Sequence, residues 1–223
     1  MLKSYVKRTG HFTDSQKKAY ETLSQKYIIP FKDEQINFSD FFNSDNITIE
    51  IGFGSGAATV QIAQENTDKN YLGIEVHRPG IGRLLREIDK RSLSNIKIIE
   101  YDAFFVFEKM IPQSTLDAIH IFFPDPWQKK RHHKRRLIQH PFTNLLSDAL
   151  KPDGYLYMVT DWEDYAAFAL NELNATEGLC NSFSQFAEPQ SWRPKTRFEQ
   201  KGLEKDHVIK ELFFVKKNIK GED

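Results

Sequence analysis

The chain predicts an α/β fold on a mostly parallel sheet with helices on both faces, and three observations carry that expectation. From residue 46 onward, short apolar runs rich in β-branched residues alternate with helical patterns. One of those runs, Leu116 to Phe123, is apolar almost throughout, as a strand buried on both faces should be. A glycine-rich turn joins the first run to the first helix, at the strand end where such sheets bind ligands.

The elements follow in order. Residues 1–45 read as an N-terminal basic arm with one amphipathic helix over Asp14 to Tyr27. The main domain spans 46–217. Asn46 to Ile51 is its first strand, and Ala57 to Ala63 is helical beyond the turn. Tyr71 to Val76 is the second strand, Pro79 opens a helix through Leu84, Leu85 and Ile88, and Ile96 to Tyr101 is the third strand. Leu116 to Phe123 is the fourth, Pro141 to Leu150 is helical, and Lys151-Pro152-Asp153-Gly154 turns into a fifth strand over Tyr155 to Thr160. An irregular stretch containing Trp192-Arg193-Pro194 precedes a last strand over Val208 to Lys216, and 218–223 are a tail.

Composition sets bounds on function. The 223 residues are too few for two full enzyme domains, and 39% hydrophobic with 13% aromatic content is enough apolar mass for one core. Cys180 is the only cysteine, which removes an intrachain disulfide and a cysteine zinc site and fits a reducing, cytoplasmic setting. Lys3, Lys7, Arg8, Asp14, Lys17 and Lys18 interrupt the first twenty residues, so no signal-peptide core is expected. No apolar stretch approaches membrane-spanning length, so no membrane partner is expected either. The sequence favours neither monomer nor homodimer.

The net charge of zero conceals an asymmetry. Residues 1–30 hold six cations and two anions, and residues 126–147 hold six cations and no anion, so the remainder sums to −10. In Lys129-Lys130-Arg131-His132-His133-Lys134-Arg135-Arg136 no acid relieves the repulsion, which favours a polyanionic partner over an ordinary solvated face.

The candidate site lies at successive strand ends. Glu50-Ile51-Gly52-Phe53-Gly54-Ser55-Gly56 is a nucleotide-like cofactor loop whose glycines alone do not distinguish a dinucleotide from S-adenosylmethionine. Glu50 distinguishes them, because a carboxylate two residues before the first glycine repels a pyrophosphate and suits the cationic amino and sulfonium groups of the methyl donor. Glu75, 23 residues after Gly52, ends the second strand where an acid can take ribose hydroxyls, and Asp102 ends the third where it can meet an adenine edge. In Phe122-Phe123-Pro124-Asp125-Pro126-Trp127 two prolines brace one carboxylate beside an aromatic plate, a setting for a flat hydrogen-bonding base.

Pro124-Asp125-Pro126-Trp127 followed by Lys129 to Arg136, together with Glu50 to Gly54, Gly73-Ile74-Glu75-Val76, Thr160-Asp161-Trp162 and Thr196-Arg197-Phe198-Glu199, resembles the bacterial tRNA (guanine-N7-)-methyltransferase family from about Ser4 to Lys216. The resemblance implies a class I, Rossmann-like S-adenosylmethionine-dependent methyltransferase fold with an antiparallel last strand. It implies Glu50, Gly52, Gly54, Glu75, Asp102 and Asp125 at the cofactor, with Asp125 also catalytic. It implies Lys129, Asp161, Thr196, Arg197, Phe198 and Glu199 at the substrate guanosine, and Arg131, His132, His133, Lys134, Arg135 and Arg136 on RNA. The substrate it implies is the variable-loop guanosine of tRNA.

Guanine N7 is an in-plane lone pair without a proton, so no base need deprotonate it and positioning should dominate. A carboxylate at Asp125 or Asp161 can accept from N1–H and the 2-amino group, selecting guanine and offsetting the developing cation, while Trp127 offers a surface to a flipped-out base. Two rivals remain at this point: an NAD-dependent oxidoreductase, which leaves the basic loop unexplained, and a non-enzymatic RNA-binding module. His132, His133 and His140 lack an acid or cysteine to complete a metal set, so no metal is expected, and Cys180 has no ordered partner for nucleophilic work. Phe104, Phe105 and Phe107 read as core.

Overall fold

The computed structural model describes residues 4–5, 12–204 and 206–218, and the side chains of Arg197, Phe198 and Lys201 lie outside that description. The chain forms two compact bodies.

The first body comprises Val6–Ile111 with Ser191–Pro194. Its strands are β1 (Ile47–Ile51), β2 (Asn70–Ile74) and β3 (Ile96–Ile99), and its helices are α1 (Asp14–Tyr27), α2 (Ala57–Glu65), α3 (Arg78–Lys90) and α4 (Ala103–Lys109). β1 pairs with β2 and β2 with β3, both parallel, with Ile49 beside Leu72 and Gly73 beside Ile98. Every residue of β1 and β2 is buried, including the polar Thr48, Glu50 and Asn70, as strands covered on both faces require. α1 opens on a reciprocal cap, the Thr13 hydroxyl accepting from the Gln16 amide and the Gln16 side chain from the Thr13 amide. It lies on α3 at Gly82, where an added Cβ would meet the Gln16 carbonyl, so the close approach requires glycine. Beyond α1, Ile28 bridges Ile98 in parallel and the Ile29 amide donates to the Ile98 carbonyl at 2.8 Å.

The aromatic run after β3 departs from the sequence expectation. Phe107 is buried, Phe104 is half-buried and Phe105 is 41% exposed. Ala103, Val106 and Phe107 form the inward stripe of α4, and that spacing turns Phe105 outward against Tyr101.

The second body comprises Pro112–Gln190 and Lys195–Asp223 with the first five residues. It carries β4 (Leu116–Phe122), α5 (Phe142–Ala149), β5 (Leu150–Thr160), α6 (Glu163–Asn174), β6 (Leu179–Asn181), α7 (Arg197–Leu203) and β7 (Lys210–Lys216). β4 and β5 are parallel, and β7 runs antiparallel to both β5 and β6, in agreement with an antiparallel last strand. Within the described residues no helix is long and apolar enough to cross a membrane.

Candidate active site

In the first body, the glycine loop hangs from the carboxylate of Glu75. Glu75 Oε2 accepts from the Gly54 amide at 2.8 Å, and Oε1 accepts from Val76 and His77 at 2.7 and 3.0 Å. Three of the roughly four acceptor positions of a carboxylate are thereby filled, leaving about one. Gly52 and Gly54 stand at φ +73° and +57°, a region that side-chain-bearing residues rarely adopt, so the loop requires glycine there for backbone reasons alone. Gly80, near the start of α3, has no room for a Cβ against the Gly54 carbonyl.

Glu50, at the end of β1, is buried and its Oε2 accepts from the Thr59 hydroxyl on α2 at 2.6 Å. Its carboxyl is pushed up to about 7: burial is the main cause, the Thr59 hydroxyl offsets part of it, and the charge of Glu75 adds to it. No cation of the described residues offsets these effects. A buried acid poised near neutrality lacks a positive partner, which a cationic ligand would supply. Asp102, expected at the cofactor, caps α4, with Oδ1 accepting from the Phe104 amide at 3.0 Å.

In the second body, β4 delivers the Pro124-Asp125-Pro126-Trp127 turn. Phe123 and Trp127 both have positive φ, 51° and 48°, bracketing Asp125 between two strained residues at roughly 1–3 kcal/mol each. The Phe123 amide is tied to the Val159 carbonyl at 2.8 Å, so the turn is held by β5. Trp127 is already engaged. Its indole N–H donates to the Ser4 carbonyl at 2.9 Å, the Arg135 guanidinium lies 4.7 Å over its ring, and His132 meets it edge-on. A flipped base therefore has at most the other face of that ring.

Lys130 to Arg135 form a 3-10 turn. Lys129, Arg131 and Lys134 are exposed. Partial desolvation and the surrounding cations hold His132 below its ordinary value, so at neutral pH it adds no charge to the loop. Arg136 corrects the sequence reading outright: expected on the RNA face, it is fully buried. Its Nε donates to the Pro126 carbonyl at 3.1 Å, its Nη2 bonds Asp164 on α6, and the guanidinium lies 5.1 and 4.9 Å from the Tyr165 and Phe168 rings.

Asp161, just beyond β5, is half-buried and its Oδ2 is bonded to His207 Nδ1 at 3.0 Å. Gly202 approaches so closely that a Cβ there would sit 3.1 Å from that oxygen. His207 was absent from the sequence reading, and no spacing in the chain links it to Asp161. Thr196 and Glu199, expected at the substrate, form a reciprocal cap on α7: the Thr196 hydroxyl accepts from the Glu199 amide at 3.1 Å and Glu199 from the Thr196 amide at 3.4 Å. At Arg197 and Phe198 the backbone alone is described.

The geometry thus brings Glu50, Gly52, Gly54 and Glu75 together in one body, and Asp125, Trp127 and the basic turn together in the other. A family model described as "Putative methyltransferase" matches residues 44–212. A protein of Nitrosomonas eutropha named tRNA (guanine-N(7)-)-methyltransferase is 47% identical over 216 residues, covering 96% of each chain. The chain belongs to the tRNA (guanine-N7-)-methyltransferase family. A relative of the same name from Nitrosomonas europaea is 46% identical over 96% of each chain. Among solved structures, the 16S rRNA methyltransferase KamB superposes with a TM-score of 0.58 at 12% identity, covering 95% of this chain and 97% of that one. A SAM-dependent O-methyltransferase from Thermotoga maritima gives 0.52 at 16% identity, covering 86% of this chain and 69% of that one. The methyltransferase therefore has the class I fold expected from its sequence, and the oxidoreductase alternative is left without support.

Proposed function

We propose that this enzyme transfers a methyl group from S-adenosylmethionine to N7 of a guanosine in the variable loop of tRNA. The observation that carries the reading is near full-length identity of 47% to a relative named for guanine N7 methylation of tRNA. The first body fits the donor. Glu50, buried and without a cation, suits the charged methionine end, and Glu75 retains acceptor capacity for the ribose. Asp102 is assigned the adenine edge.

When bound, the donor supplies an electrophilic methyl on a sulfonium sulfur. Transfer would join that methyl to the N7 lone pair while the carbon–sulfur pair stayed with sulfur, so positive charge would develop on the purine ring. Asp125 and Asp161 accept from N1–H and the 2-amino group, which orients guanine, rejects adenine and offsets the developing charge. Lys129 reaches toward the target nucleotide, and exposed Arg131 and Lys134 meet phosphates.

The test compares two tRNA transcripts with a labelled methyl donor: one with the variable-loop guanosine and one with adenosine there. Label should enter the first alone, and equal incorporation into both would refute the assigned position.

A further inference from the structure

We propose that Arg136 is a positioning residue that locks Asp125 and Asp161 into one rigid frame. The inference rests on the reading of those carboxylates as guanine-facing. Arg136 holds the carbonyl of Pro126, the residue immediately after Asp125, through Nε at 3.1 Å. Through Nη2 it holds Asp164, three residues after Asp161, and His133 Nε2 lies 3.1 Å from the same nitrogen. The guanidinium is flanked by Tyr165 and Phe168 on the inner side of α6. The Tyr165 hydroxyl accepts from the amides of Leu137 and Ile138 at 3.1 and 3.2 Å, so the residues following Arg136 are fastened to the same helix. One planar cation therefore spans from the Asp125 turn to the helix that Asp161 leads into, and a planar fork holds such geometry where a single ammonium would not.

Stability does not account for this arrangement. Arg136 has no exposed surface, and its Nη1 is buried without a hydrogen-bond partner among the described residues. An unsatisfied buried donor is destabilising, and the ionic partner Asp164 is exposed, so the pair adds little stability to offset it. An arrangement that carries this cost at the turn bearing Asp125 fits a geometric role, as locally unfavourable features at functional sites commonly do. The Asp164 partner is held below the usual carboxylate range by its bond to Arg136, so the pair stays charged across the working pH range.

The test uses Arg136→Met, which preserves length and apolar packing, in single-turnover methyl transfer to tRNA. Misplacement of a reacting frame by about 1 Å costs up to about a hundredfold, so the rate should fall by about 10- to 100-fold. The tRNA KM, its salt dependence and the affinity for S-adenosylmethionine should stay near wild type, and melting should not fall. Arg136→Lys, which restores one of the two bonds, should recover an intermediate rate. If Arg136→Met does not fold, Asp164→Ala at the exposed end carries the test and should lower the rate by about 3- to 10-fold with the same unchanged KM, a smaller loss of positioning than for Arg136→Met because Nε still holds Pro126. A rate within about twofold of wild type in the folded variant overturns the proposal. So does a drop of about 0.7–0.9 in the slope of log affinity against log salt, which would make Arg136 a phosphate contact. Asp125→Asn is run in parallel: if it is unimpaired, the guanine-facing reading itself fails, whereas an impaired Asp125→Asn beside an unimpaired Arg136→Met removes only the frame.

Discussion

Replacing Glu50 with glutamine should make the protein more stable and worse at binding its donor, and the size of the gain follows from the burial of one carboxyl. In the folded chain that carboxyl is raised from 4.5 to about 7, chiefly by desolvation. A raised folded value means the native state holds a proton that the unfolded chain has released between those two limits. Stability therefore falls as pH rises through the window and stays low above it. That rise corresponds to about 3 kcal/mol at pH 8 and to less than about 1 kcal/mol at pH 5. Glutamine keeps the shape and can still accept from Thr59, yet it has no charge to bury. Chemical denaturation of both proteins should show Glu50→Gln more stable by about 3 kcal/mol at pH 8, with the difference shrinking below about 1 kcal/mol at pH 5. Donor binding has the opposite sign, because a cation prefers the ionised acid. Wild-type affinity for S-adenosylmethionine should weaken by about tenfold from pH 8 to pH 6, and Glu50→Gln should bind weakly with no such dependence. A stability difference that is absent, or equal at both pH values, would refute the assignment of Glu50 as an uncompensated buried acid.

Glu75→Ala removes both a ribose acceptor and the hook for the Gly54, Val76 and His77 amides, so calorimetry should show donor binding weakened by at least about 1.5–3 kcal/mol. Asp125→Asn should cut single-turnover methyl transfer by about 10²–10³ while circular dichroism remains native, the cost of losing one transition-state electrostatic partner. Arg131→Ala with Lys134→Ala, both exposed, should lower the salt slope of tRNA binding by about 1.5 and leave donor affinity unchanged; an unchanged slope would move the RNA elsewhere. His207→Phe should raise the KM for tRNA more than it lowers kcat if the bond to Asp161 serves to aim that carboxylate at the base, and unaltered kinetics would leave the pair merely structural.

Much of the frame was legible because its strands are buried and its glycines are forced. β1, β2 and β4 appear within two residues of their expected ends, since short runs dominated by Ile, Leu and aromatic residues and bounded by turn residues have few other uses in a chain of this composition. The helix caps formed by expected site residues were less visible. Thr196-Arg197-Phe198-Glu199 carries the Ser/Thr-x-x-Glu spacing of a reciprocal helix cap, a local signal for α7 that a reading focused on substrate contacts passed over. α6 was missed beside the Thr160-Asp161-Trp162 motif, although Tyr165, Ala166, Ala169 and Leu173 supply a helical stripe. Arg136 could not be separated from its neighbours at all. Six cations in one short run look equivalent, and its socket of Asp164, Tyr165 and Phe168 lies at least 28 residues away. Tertiary structure alone divides that run into exposed Arg131 and Lys134, Arg135 stacked on Trp127, and buried Arg136.

In the proposed reaction the nucleophile is guanine N7, positioned by carboxylates without a proton-removing base. Unmodified tRNA treated with the enzyme and labelled donor should yield, on complete nucleoside digestion, 7-methylguanosine as the labelled product. A transcript carrying 7-deazaguanosine at the target position should take up no label. Label on another nucleoside, or undiminished transfer to the 7-deaza transcript, would contradict the account.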